Sequence, residues 1–165
     1  MAQHEALKLP LVAMAAAHDY GDATSPYGNV HPQIKGPVGY RLALAAQAVI
    51  YGQDVAYKNP SLVSATQIAS GVLVLKFDQP VEIRQGHQGM WTDTVPLPNQ
   101  CAWLNVNGVN ATNYVAQPDG TIQVTVAPAS SYVLNYLQGD WPVPIFYAQG
   151  SGDPGLPAIP FITSI

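Results

Sequence analysis

Cysteine occurs once in this chain, at Cys101, which excludes an internal disulfide and a thiolate metal cluster. A lone thiol of this kind is expected as a small buried apolar group. Charge is scarce too: Asp, Glu, Lys and Arg make up 10% of 165 residues, against the usual quarter. Six Lys and Arg against ten Asp and Glu, with no basic run and a net charge of −4, argue against a nucleic-acid surface. No apolar run approaches the length of a membrane-spanning helix. The chain has no phosphate-binding glycine loop and no dinucleotide fingerprint, and none of its serines sits in a Gly-x-Ser-x-Gly elbow or a Gly-Asp-Ser block.

What the chain does have is apolar content and turns: 48% hydrophobic residues, 15 prolines and 14 glycines. That is enough apolar area for a core, cut into short elements. Leu9–Ala17 resembles the apolar centre of a signal peptide, but Pro10 and Glu5 weaken that reading. Val12–Ala17 is expected instead to be a buried β-strand feeding the polar loop His18–Asp22, a place where sites collect in α/β folds. Residues 24–35 should be irregular. Pro37 suits a first helical turn, and Val38, Leu42, Ala45, Ala46, Val49 and Ile50 then recur at helical spacing until Gly52 stops the helix.

Beyond residue 55 the texture changes. Val72–Phe77 reads as a strand, and Tyr114–Ala116 and Thr121–Val126 flank the turn Gln117-Pro-Asp-Gly120 as a hairpin. Ser131–Leu137 and Val143–Tyr147 add strands. The expected organisation is an α/β strand–loop–helix piece over 1–54 followed by a mainly-β region over 55–165, a sandwich or small barrel.

His31 is the best catalytic candidate. It stands before Pro32 on a turn that leads into the helix, and an imidazole can take a proton from a hydroxyl near neutral pH and return it to a leaving alcohol. Asp22 or Asp19 would orient its other nitrogen, and Ser25 is the serine nearest in sequence. The plainer alternatives are a loop histidine bonded to a carbonyl and a turn-forming Ser25. A metal site built from His18, Asp19, Asp22 and His31 has no supporting ligand spacing, and neither metal nor cofactor is expected. Trp91, Trp103 and Trp141 could stack on sugar rings, although such residues are more often core, and Asn110-Ala-Thr112 fits a glycosylation acceptor in a secreted eukaryotic protein.

Two stretches carry a resemblance. Asp22-Ala-Thr-Ser-Pro-Tyr-Gly-Asn-Val-His-Pro32 with Val38–Gly52, and Tyr136–Pro144 with Gly155–Phe161, resemble the carboxy-terminal part of sialate O-acetylesterases, serine esterases of the SGNH (GDSL-type) class. The resemblance implies that His31 is the catalytic base, that Val12–Ala17 is the last strand of a flavodoxin-like sheet, and that a β-sandwich follows. Many SGNH esterases carry an aspartate three positions before the histidine, where this chain has Gly28, which leaves Asp22 as the substitute acid. The family's nucleophilic serine and oxyanion-hole residues belong to earlier blocks that this sequence does not contain. The expected partners are therefore an acetylated sugar or other small ester, and an amino-terminal esterase segment or a second copy. The family would also imply a secreted, periplasmic or lysosomal setting. Two other readings stand beside it: a self-contained small esterase using a local serine, and a non-catalytic β module that binds glycans or partners.

Overall fold

The computed structural model describes residues 5–22, 25–28, 31–84, 104–138 and 144–165. The expectations for Cys101 and for Trp91, Trp103 and Trp141 fall outside these residues, as does the first residue of the strand expected at 143–147. The described chain is mostly antiparallel strand, with one α-helix.

Two four-stranded sheets carry the β region. The first runs β1 (Leu62–Ala69), β2 (Val72–Phe77), β7 (Ile122–Thr125), β6 (Asn113–Ala116), and the second runs β10 (Phe161–Ser164), β8 (Val133–Tyr136), β4 (Leu104–Val106), β5 (Val109–Asn110). A two-stranded ribbon pairs β3 (Val81–Ile83) with β9 (Phe146–Ala148). Alternation decides which side chains point inward. On β2, Leu73, Leu75 and Phe77 are buried while Lys76 is exposed, as a strand with one face on a core requires. Ile122 and Val124 of β7 join them from the same sheet, and Leu104, Val106, Leu134 and Tyr136 come from the second sheet into one shared core. Each such burial contributes roughly 1.5–3 kcal/mol.

Tyr136 shows how this core accepts a polar atom. Its ring stacks between Phe146 and Phe161, at 5.0 and 5.1 Å between centroids. Its buried hydroxyl takes hydrogen bonds from the Ile145 and Phe146 amides, 3.1 Å each. The expected hairpin is present: Gln117 N–H bonds Thr121 O, and Gly120 turns the chain at φ +81°. A side chain at Gly120 would also meet Pro80, whose Cβ stands 2.8 Å from where its Cβ would be.

The helix α1 (Gly36–Val49) starts with a proline in its first turn. It ends where Ile50 and Tyr51 N–H both return to Ala46 O and Gly52 takes φ +66°. The buried face matches the expected one only in part. Arg41 and Ala45 are buried, whereas Leu42 and Ile50 of the anticipated apolar stripe are 51% and 57% exposed. No helix is long and apolar enough to cross a membrane, among the described residues.

The expected strand at Val12–Ala17 is a correction. Residues 12–17 pair with no strand among the described residues, and Val12 remains exposed while Ala16 is buried. A strand exists only through ladder bonds to a neighbour, and this segment borders open grooves instead. What fixes it is side-chain chemistry. Asn59 Oδ1 accepts from Ala16 N–H at 3.3 Å while Asn59 Nδ2 donates to Pro157 O at 2.8 Å.

Candidate functional site

The segment after residue 12 reverses through a short 3-10 turn, His18–Tyr20, which points Asp19 inward. Arg41 meets it from α1. The guanidinium donates Nη1 to Asp19 Oδ1 at 2.7 Å and Nη2 to Asp19 Oδ2 at 2.5 Å, a two-pronged pair with both side chains essentially inaccessible. Its remaining donors reach Ala16 O (2.7 Å), Gly155 O (2.7 Å) and Pro154 O (3.2 Å). Tyr147 of β9 donates its hydroxyl to Asp19 Oδ2 at 3.2 Å. Burial, with the Asp19 charge next, drives the Tyr147 pKa well above its ordinary value, so the phenol stays a donor. The Arg84 guanidinium lies over the Tyr147 ring, 4.6 Å from its centroid.

A buried ion pair is stable only when its geometry and its leftover donors are satisfied. Here they are, by carbonyls from two distant parts of the chain. The pair therefore ties the amino-terminal segment, α1 and the carboxy-terminal region into one unit.

Asp22, three residues on, is buried at 2% exposure. Its Oδ2 accepts from Gln33 N–H at 3.3 Å and from Gln33 Nε2 at 3.1 Å. Those bonds brace the far end of the turn that carries His31. Ser25 braces the near end. Its hydroxyl donates to His31 O at 2.5 Å and accepts from Tyr27 N–H at 3.3 Å, and His31 N–H bonds Gly28 O at 2.9 Å. The Ser25 proton is thus committed to its own loop, the turn-forming role that residue type favours. His31 itself is exposed, free to meet a group arriving from solvent.

The sequence candidates therefore divide. Asp22, Ser25 and His31 share one braced loop, whereas Asp19 turns away to Arg41 and Tyr147. Among the described residues no three His, Cys, Asp or Glu side chains gather in a metal-binding group. Arg41 and Tyr147 escaped the sequence reading. An arginine inside an apolar helical run looks solvent-facing, and no spacing links positions 19, 41 and 147. His18 is half-buried where His31 is exposed. Burial, above all, lowers its pKa from 6.5 to about 4; Asp19 opposes the shift, and Arg41 adds to it.

No protein-family model matches the chain. Individual proteins do. The sialate O-acetylesterase of Homo sapiens is 28% identical over 165 residues, covering 96% of this chain and 30% of its own length. The Mus musculus protein of the same name is 29% identical over 167 residues, covering 96% of this chain and 29% of its own. Among solved structures, a carbohydrate acetylesterase from Xanthomonas citri superposes with a TM-score of 0.64 at 25% identity, over 98% of this chain and 34% of that one. The chain thus spans about a third of the length of the relatives it matches. The chain is similar to sialate O-acetylesterases, matching the carboxy-terminal part of those longer proteins.

Proposed function

We propose that this chain supplies the general base of a serine-type hydrolase that removes acetyl groups from sugars, and that the base is His31. One observation carries the reading: an exposed imidazole on a turn braced at both ends, in a chain whose relatives are acetylesterases. His31 accepts the proton of an attacking serine hydroxyl as that oxygen adds to the acetyl carbonyl. It then returns the proton to the departing sugar oxygen, and water releases acetate from the serine in a second, equivalent cycle. Asp22 is the acid of the triad in this reading, because it already holds the His31–Gln33 turn. Asp19 belongs to the brace, its oxygens engaged by Arg41 and Tyr147.

Ser25 is not the nucleophile in this account, since its hydroxyl serves the loop. The attacking serine and the oxyanion-hole donors come from polypeptide beyond these residues, corresponding to the other two thirds of the relatives. Residues 1–54 then complete a flavodoxin-like esterase domain, and 55–165 form a β-sandwich beside it.

The test is acetate release from a chromogenic acetyl ester and from an acetylated sugar. It compares the chain alone with the chain co-expressed with the amino-terminal two thirds of a relative. The expected result is turnover only in the pair, lost in His31→Ala and reduced but not abolished in Ser25→Ala, which loosens the loop without removing the base. Turnover by the chain alone that Ser25→Ala abolishes would replace this account with a self-contained esterase.

A further inference from the structure

His18 takes no part in the proposed chemistry, yet it is the one described residue with a buried side-chain nitrogen that has no hydrogen-bond partner, its Nε2. The residue keeps some exposure as a whole, while Nε2 is sealed from solvent. The ring's other contact is a hydrogen bond to the backbone of Ala158, which is itself fully buried. His18 thus stands at the seam between the amino-terminal segment and the carboxy-terminal stretch 156–160.

We infer that His18 is a proton-sensitive latch, which holds residues 12–18 against the carboxy-terminal stretch when neutral and loosens them when protonated. A proton on Nε2 would place a charge where no acceptor meets it. The charged groups facing the ring are Asp19 on its own turn and Arg41 from α1. Asp19 attracts the charge, but its oxygens are already engaged by Arg41 and by the Tyr147 hydroxyl from β9. Arg41 repels it. The third neighbour, the stretch at 158, offers backbone only. Asp19 stays tied by Arg41 and the Tyr147 hydroxyl, so what His18 can loosen is the stretch before it, held at Ala16 by the Arg41 bond to its carbonyl and the 3.3 Å bond from its N–H to Asn59. A groove of about 610 Å³ bordered by Leu7, Ala15, His18, Ile159 and Pro160 gives the segment room to move and the proton a way in.

The direction follows from linkage. The closed state favours the neutral ring, so the latch is fully set above the ordinary histidine pKa of 6.5 and weakens as pH falls from there toward about 4.

The experiment is amide hydrogen exchange on the full chain from pH 7 to 4.5, corrected for intrinsic rates, beside a ring titration of isotope-labelled His18. Protection at Ala16 and its neighbours should fall by up to about tenfold per pH unit below 6.5, the limit for one proton, while β2 and β7 stay protected. His18→Gln should remove that slope. Should His18→Gln fail to fold, the wild-type ring decides alone, with a midpoint below 5 expected. A flat wild-type profile, an unchanged slope in His18→Gln, or a ring midpoint at or above 6.5 would each overturn the latch.

Discussion

The two ends of this molecule are held together by opposite means. In the β region the buried residues are Leu73, Leu75, Ile122, Val124, Leu134 and their neighbours, packed from two sheets into one apolar core. In the segment that carries His31 the buried residues include Asp19, Asp22 and Arg41, with Ala16, Tyr20 and Ala45 beside them. Apolar burial is non-directional, so it fixes that a region is compact. Charge-assisted hydrogen bonds are directional, so they fix where a loop stands. The histidine loop is positioned by the second kind of contact. Its anchors reach the Gly155 and Pro154 carbonyls and Tyr147, which lie in the other region.

The sharpest way to break this contrast is Arg41→Met. It leaves the Asp19 carboxylate buried without its cation, at a cost of about 3–5 kcal/mol. Chemical denaturation should record that loss. Hydrogen exchange should place the loosening in residues 12–33 first, and an even loosening of every sheet would contradict the division of labour. Leu75→Ala addresses the other side. It should cost about 2–5 kcal/mol by opening a cavity in the core, with the exchange pattern of residues 12–33 changing only as global stability falls. Tyr147→Phe is milder, removing one bond to Asp19 while the Arg41 pair remains, and about 1–2 kcal/mol is expected. A Tyr147→Phe loss equal to that of Arg41→Met would mean that the phenol, rather than the guanidinium, is the main anchor.

Legibility in the sequence follows the same division. Local period and turn chemistry reveal β2, the 113–125 hairpin, β8 and the extent of α1, because those elements are written in neighbouring residues. β1 was missed. Leu62–Ala69 alternates poorly, and Val63 and Ile68 both face solvent at 61% exposure. The short strands β4 and β5 carry too few residues to show a period. Val12–Ala17 has the composition of a buried strand but no partner among the described residues, and composition cannot supply a ladder. Within the candidate site, the motif around His31 and Asp22 marks them as candidates, and the structure shows the bonds that hold their loop. The ion pair of Asp19 with Arg41, and the bond from Tyr147, were not, since they join positions 22 and 128 residues apart.

The central claim is that His31 moves the proton in acetyl-ester cleavage, and acetate release tests it most directly. The measurement compares the chain with its His31→Ala variant, each joined by the amino-terminal two thirds of a related esterase. The account predicts turnover with the first and a fall of about 10²–10⁴-fold in kcat with the second, KM changing little. Equal rates from the two, in a pair shown to assemble, would contradict it.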